Sequence, residues 1–123
     1  MATLTEGRVT AAYILSEAAG MRSRDNAKMA SGAGKVEPGT ILGKITASGK
    51  FVPHAPAAAD GSETAVAIAY AAVDATDADA ACVITARDSE VKAAELVYNA
   101  ATDTDGEKAA VHAALAANGI IVR

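Results

Sequence analysis

The chain has 123 residues, enough for one domain with a modest core, and a formal net charge of −4. Hydrophobic residues make up 51% of it, but more than half of these are alanine and aromatics are only 3%. Large anchoring side chains are therefore few, and the composition predicts a small-residue interior with further burial between subunits. The negative balance excludes nucleic-acid binding through a broadly basic face. The single Cys82 excludes an internal disulfide, and the longest apolar run, residues 65–73, is far too short to span a bilayer.

The first stretch carries no charged-then-apolar leader, and Ala2 stands where myristoylation requires glycine. A soluble protein made in a cytoplasm is expected. Between residues 9 and 16, Val9, Ala11, Tyr13 and Leu15 share one face of a strand; a short helix with Tyr13 and Ile14 on its apolar side fits the same residues. A charged patch follows, Arg22-Ser-Arg-Asp-Asn26, and then Ser31-Gly-Ala-Gly34, which reads as a flexible linker. An apolar patch and a charged patch set off by glycines predict an arm over residues 1–34 that buries Tyr13, Ile14 and Leu15 on a partner. Charge is also uneven, with seven basic and four acidic side chains in residues 1–50 against four and eleven in 51–123. Ordinary solvated surface accounts for this, as does a basic end that docks on something acidic.

The body is expected over residues 35–123. Two short apolar runs flank a Ser48-Gly49 turn and an Asp60-Gly61 turn follows, a β-meander pattern with strands near 40–46, 50–54 and 64–73. In the third, Val66, Ile68 and Tyr70 alternate with Ala65, Ala67 and Ala69; the alanine face permits close approach of another layer or subunit. Further strands are predicted at 80–87 and 91–98, after a polar turn at 74–79. Thr104-Asp-Gly-Glu107 has capping-box spacing ahead of an alanine-rich run, so a helix is predicted over 105–117, with Asn118-Gly119 as its C-terminal cap and 120–122 as a final strand. The fold class is α+β and β-rich: a small meander or barrel-like body, one alanine-rich C-terminal helix and an extended N-terminal arm.

Catalytic patterns are missing. Ser31-Gly-Ala-Gly-Lys35 lacks the full phosphate-loop spacing, since Val36 follows the lysine. His54 and His112 have no second ligand at metal spacing and read as surface or edge residues. Asp77-x-Asp79 and Asp103-x-Asp105-Gly106 do not continue as a calcium loop and read as turn and cap acids. Cys82, in an apolar run, reads as a small buried group. Neither a catalytic residue, a metal nor a cofactor is expected. One binding-module reading competes: a lipoyl- or biotinyl-type carrier, or another small ligand-binding β domain, with Lys50 after the Ser48-Gly49 turn as the modified lysine.

Taken together, Ala12-Tyr-Ile-Leu-Ser-Glu-Ala18, Arg22-Ser-Arg-Asp-Asn26, Pro38-Gly-Thr-Ile-Leu-Gly-Lys-Ile-Thr46, Ala57-Ala-Ala-Asp-Gly-Ser-Glu-Thr64 and Asn118-Gly-Ile-Ile-Val-Arg123 resemble the tailed-phage, lambda-type head decoration family of capsid-stabilising proteins. The resemblance covers nearly the whole chain in the same order. It implies a homotrimer on the outer surface of the virion capsid, bound to the major capsid protein and reinforcing the expanded head against internal DNA pressure. On that reading Val9, Ala11, Tyr13, Ile14, Leu15, Arg22, Arg24 and Asp25 are the expected capsid-binding residues, and Ala65, Ala67 and Ala69 the trimer interface. Direct contact with nucleic acid or a membrane is not expected. A tail-associated virion protein is a further alternative.

Overall fold

The computed structural model describes residues 6–123. The strands are β1 (Ile14–Glu17), β2 (Arg24–Met29), β3 (Gly34–Val36), β4 (Ile41–Lys44), β5 (Phe51–Pro53), β6 (Ala65–Ala69), β7 (Val73–Ala75), β8 (Ala80–Thr85) and β9 (Ser89–Val91). A 3-10 turn at Ala93–Glu95, helix α1 (Asp105–Ala117) and β10 (Ile120–Val122) complete the chain. Strands β2-β5-β4-β6-β8 close into a barrel, beside a three-stranded sheet β1-β9-β10 and the pair β3-β7. The protein is thus mostly β, with a five-stranded barrel and one C-terminal helix.

Strands β4 and β6 form a wall with a core on each side. Ile41 and Ile68 face a cluster with Tyr13, Val91, Leu96, Val111, Leu115 and Ile120, beneath α1 and the small sheet. Leu42, Ala67 and Ala69 face a second cluster with Met29, Val36, Ala75 and Ile84. The β4–β6 register shifts between Leu42 and Gly43, where Leu42 pairs with Ala67 but Gly43 with Ala65. This bulge breaks the alternation, so Ala65 joins Ile68 in the first cluster and parts from Ala67 and Ala69.

The helix forms where its caps predict. Thr104 accepts from the Glu107 amide at 3.2 Å, and the Glu107 carboxylate accepts from the Thr104 amide at 3.4 Å. Val111 and Leu115 are its buried residues. At the far end Gly119 takes φ +80°, and a Cβ there would lie 3.2 Å from the Asp88 amide nitrogen, so glycine is needed for both the turn and the close approach. Gly39 is similar: with φ +90°, a Cβ would sit 2.7 Å from the Glu95 carbonyl oxygen.

The extended N-terminal arm is the main correction. Residues 1–5 of it lie outside the described residues; residues 6–34 are part of the body. β2 pairs with β8 along its whole length, from Arg24↔Thr85 to Met29↔Ala80, and meets β5 at Met29↔Phe51 to close the barrel. β1 is an antiparallel strand on β9, which settles strand over helix for its residues. The expected linker is a fastened turn: Gly32 N–H donates to the Ala75 carbonyl at 2.8 Å and Ser31 N–H to Asp79 Oδ1 at 2.8 Å. Among the described residues, hydrogen bonds thus join residues 6–34 to the body. Arg-Asp-Asn-Ala-Lys-Met is poor in strand formers, and pairing with β8 overrides that propensity.

Smaller corrections concern element ends and burial. The expected strand 64–73 is two, β6 and β7, separated by a bend, and the acidic turn starts after Ala75 rather than at residue 74. The strand expected at 91–98 begins earlier as β9 and gives way to the 3-10 turn, with Val97 left as a single bridge to Thr40. His54 is buried, because its ring Nε2 lies 2.9 Å from the Glu63 carbonyl and its own carbonyl accepts from Asn99 Nδ2 at 3.0 Å.

Two outcomes test this packing. Tyr13→Ala should lower the unfolding free energy by about 3–5 kcal/mol in a denaturant titration, as for other buried aromatic truncations; a peripheral arm would lose almost nothing. Ala67→Phe should overpack the barrel cluster and cost the isolated subunit at least about 1–3 kcal/mol by the same measurement. An unchanged midpoint would mean that the alanine does not face the core.

Candidate functional site

The eight residues expected to bind a partner divide between core and surface. Tyr13 is 1% exposed, with its hydroxyl 2.5 Å from Thr85 Oγ1, and burial raises the phenol pKa far above its usual value. Ile14 is half-buried against the same core and pairs with Val91. Ala11 is half-buried at φ +62°, a turn conformation unusual for alanine, and its N–H donates to the Tyr70 carbonyl at 3.1 Å. Val9 at 60% and Leu15 at 48% are open to solvent. The structure therefore splits the apolar patch: Tyr13 and Ile14 anchor the segment, and Val9 and Leu15 remain available for contact.

The charged patch divides the same way. Arg24 forks onto Glu17, with Nε donating to Oε2 at 3.2 Å and Nη2 to Oε1, while Ser23 Oγ donates to Oε2 at 2.6 Å. The Arg24 guanidinium also lies 4.2 Å over the Tyr70 ring. Asp25 is bidentate with Arg87, at 2.5 and 3.1 Å. These two groups thus tie β2 to neighbouring segments. Arg22 is different: its side chain is 71% exposed and, among the described residues, is held by a single 3.4 Å pair to Asp88.

The expected trimer residues Ala65, Ala67 and Ala69 are each 1% exposed within the single chain. Their side chains are used up by this chain's own two clusters, so they present no surface to a second copy. The alternation suggests the outside of a one-sided sheet, whereas β6 is covered on both sides. Two surface features escaped the sequence reading. Met21 is 70% exposed, the most open large apolar side chain among the described residues; its position between Gly20 and Arg22 in a polar turn was the available signal. The second is a groove of about 530 Å³ between α1 and residues 54–65. It had no signal, because its walls come from three separate stretches.

The chemical groups elsewhere serve structure. Lys50, the carrier candidate, is half-buried and donates to Asp79 Oδ2 at 2.5 Å, which helps hold that carboxyl below its usual pKa. Tyr98 O–H and His112 Nε2 are 2.6 Å apart; burial first, then nearby Lys108, lowers the imidazole pKa. Cys82 is half-buried, and burial raises its thiol pKa. Among the described residues no three His, Cys, Asp or Glu side chains gather as a metal site, and no helix is long and apolar enough to cross a membrane.

The Glu17 cluster has a pH consequence. Hydrogen bonds from Arg24 and then Ser23 hold the Glu17 carboxyl below its usual 4.5. A depressed carboxylate stabilises the fold above the unfolded-state value, and that stability is lost as pH falls through the folded one. Stability should therefore fall below about pH 4.5, and Glu17→Gln should be less stable than wild type at pH 7 with a smaller acid-induced loss. Parallel curves for the two proteins between pH 3 and 7 would show that the cluster contributes nothing.

A family model described as bacteriophage lambda head decoration protein D matches residues 3–120. No curated protein matches the chain in sequence. The family match takes in the β1 segment, all five barrel strands and α1, in agreement with the motif resemblance read along the chain. A phage head protein of this kind is structural, consistent with side-chain clusters that brace the fold. The chain belongs to the bacteriophage lambda head decoration protein D family.

Proposed function

We propose that the protein binds the major capsid protein on the outer surface of an expanded phage head and, as a homotrimer, reinforces the shell against the pressure of packaged DNA. The family match over residues 3–120 carries this reading. Exposed apolar side chains on the anchored N-terminal segment support it, since Val9 and Leu15 face solvent rather than the chain's own core. They provide the capsid contact in this proposal. Tyr13, Ile14, Arg24 and Asp25 hold the segment in place, so binding needs less ordering of the chain than a mobile arm would require.

The mechanism is mechanical. A trimer brings three copies of a modest contact to neighbouring capsid subunits, and after the first has bound the others act at high effective concentration. Rupture then requires several contacts to open together. Discrimination for the expanded shell follows if the three attachment points match only the spacing of that form; a spacing that forbids simultaneous engagement loses the multivalent gain.

Co-sedimentation with expanded heads and with unexpanded procapsids tests the reading; retention by the expanded form alone is expected. Val9→Asp with Leu15→Asp should abolish retention while shifting stability by no more than about 0.5 kcal/mol per site, as for exposed substitutions. Full decoration by the double variant would place the capsid contact on another face. Failure of the wild-type protein to bind expanded heads would overturn the proposal itself.

A further inference from the structure

The groove beside α1 is lined mainly by small apolar groups, including Pro56, Ala57, Ala101, Ala110 and Ala114. Glu63 and Glu107 also line it, and Asp60, Asp103 and Asp105 lie on the same segments. Among the described residues none of these five acids is in an ion pair; Glu63, Asp60 and Glu107 accept instead from turn and cap groups, Glu63 from Gly61 N–H at 2.8 Å, Asp60 from the Ser62 amide and hydroxyl, and Glu107 from the Asp103 and Thr104 amides. The outward residues Ala109, Ala113, Ala116 and Ala117 are exposed too, and no charged side chain follows Lys108 in the helix. A helix that ends in water ordinarily shows a charged outer face.

The complementary feature lies at the other end of the helix. Met21 and Arg22 project from the turn between β1 and β2, 70% exposed as a residue and 71% exposed as a side chain. Arg22 pairs with Asp88, and Asp88 abuts Gly119 just beyond the C-terminus of α1. The groove runs along α1 from Glu107 to Ala114, and the 13 residues of the helix span about 20 Å. A knob with an apolar tip and a cation thus stands beyond the C-terminus of α1, and an apolar groove rimmed by anions runs along the helix. The knob lies in the net-basic first 50 residues and the groove in the net-acidic remainder.

We infer that the groove receives the Met21-Arg22 turn of a second copy of this chain, Met21 filling the apolar floor and Arg22 meeting Glu63. The inference rests on the trimeric reading above and supplies its contact. A threefold ring requires a head-to-tail interface between two different patches, because a self-complementary patch closes as a dimer. Methionine suits an irregular groove, being unbranched and readily repacked. Opposed charge at the rim sets orientation and speeds encounter.

Charge reversal tests the pairing. Arg22→Glu and Glu63→Lys, both at exposed positions, should each raise the concentration for half-maximal decoration of expanded heads by about tenfold or more. The Arg22→Glu/Glu63→Lys double variant should recover much of that loss, since every interface then brings opposite charges together again with their places exchanged. Met21→Ala should weaken the trimer with thermal unfolding of the subunit unchanged. Single variants that decorate heads like wild type, or a double variant no better than the sum of its singles, would overturn this contact. If expanded heads are still decorated in those cases, the decoration reading stands and only the interface is wrong; loss of wild-type binding to heads marks failure of that reading.

Discussion

The rest of the structure depends on one wall, β4 and β6, being covered on both faces. A chain with so few large side chains cannot fill two thick cores, so it shares one pair of strands between them. Ile41 and Ile68 serve the helix side, Leu42, Ala67 and Ala69 the barrel side. The alanines are what allow the second cluster to stay narrow, and close packing there offsets their small individual burial. The bulge at Gly43 lets Ala65 change sides without breaking the strand pair.

Covering the wall recruits the N-terminus. Tyr13 inserts under α1 and reaches Thr85 on β8, so a residue early in the chain is bonded to the last barrel strand. β2 then runs antiparallel to β8 and closes the barrel. The hydroxyl pair matters as much as the ring, because a buried phenol without a partner would carry an uncompensated desolvation cost. Arg24 and Asp25 complete the attachment through Glu17 and Arg87. With these groups engaged inside the chain, the N-terminal segment leaves for contact Val9, Leu15 and the tip of the β1–β2 turn.

This arrangement suits the capsid-binding role proposed above. A segment anchored by its own core presents Val9 and Leu15 in a fixed place, and pre-organisation lowers the conformational cost of each contact. The acid-rimmed groove along α1 and the basic β1–β2 turn are two different patches, which the proposed ring of identical copies would require. In the proposed trimer, binding strength would come from repetition of modest contacts rather than from any single one.

How much of this was legible in the sequence follows from where each signal resides. Local signals were sufficient for α1, since Thr104, Glu107 and Gly119 act on their own neighbouring amides, and for the hairpin strands on either side of Ser48-Gly49. Family membership was legible too, because it is carried by short motifs in a fixed order. The arm was not. Whether Tyr13 meets a partner or its own core depends on Thr85, 72 positions away, and β2 is a strand only because β8 lies beside it. Ala65, Ala67 and Ala69 have the same pattern whether their far side meets a subunit or a second core. The sequence by itself determined the helix, the hairpin around Ser48-Gly49 and the family; the tertiary structure decided where the other strands begin and end and which faces are covered, because pairing and burial depend on residues far apart in the chain.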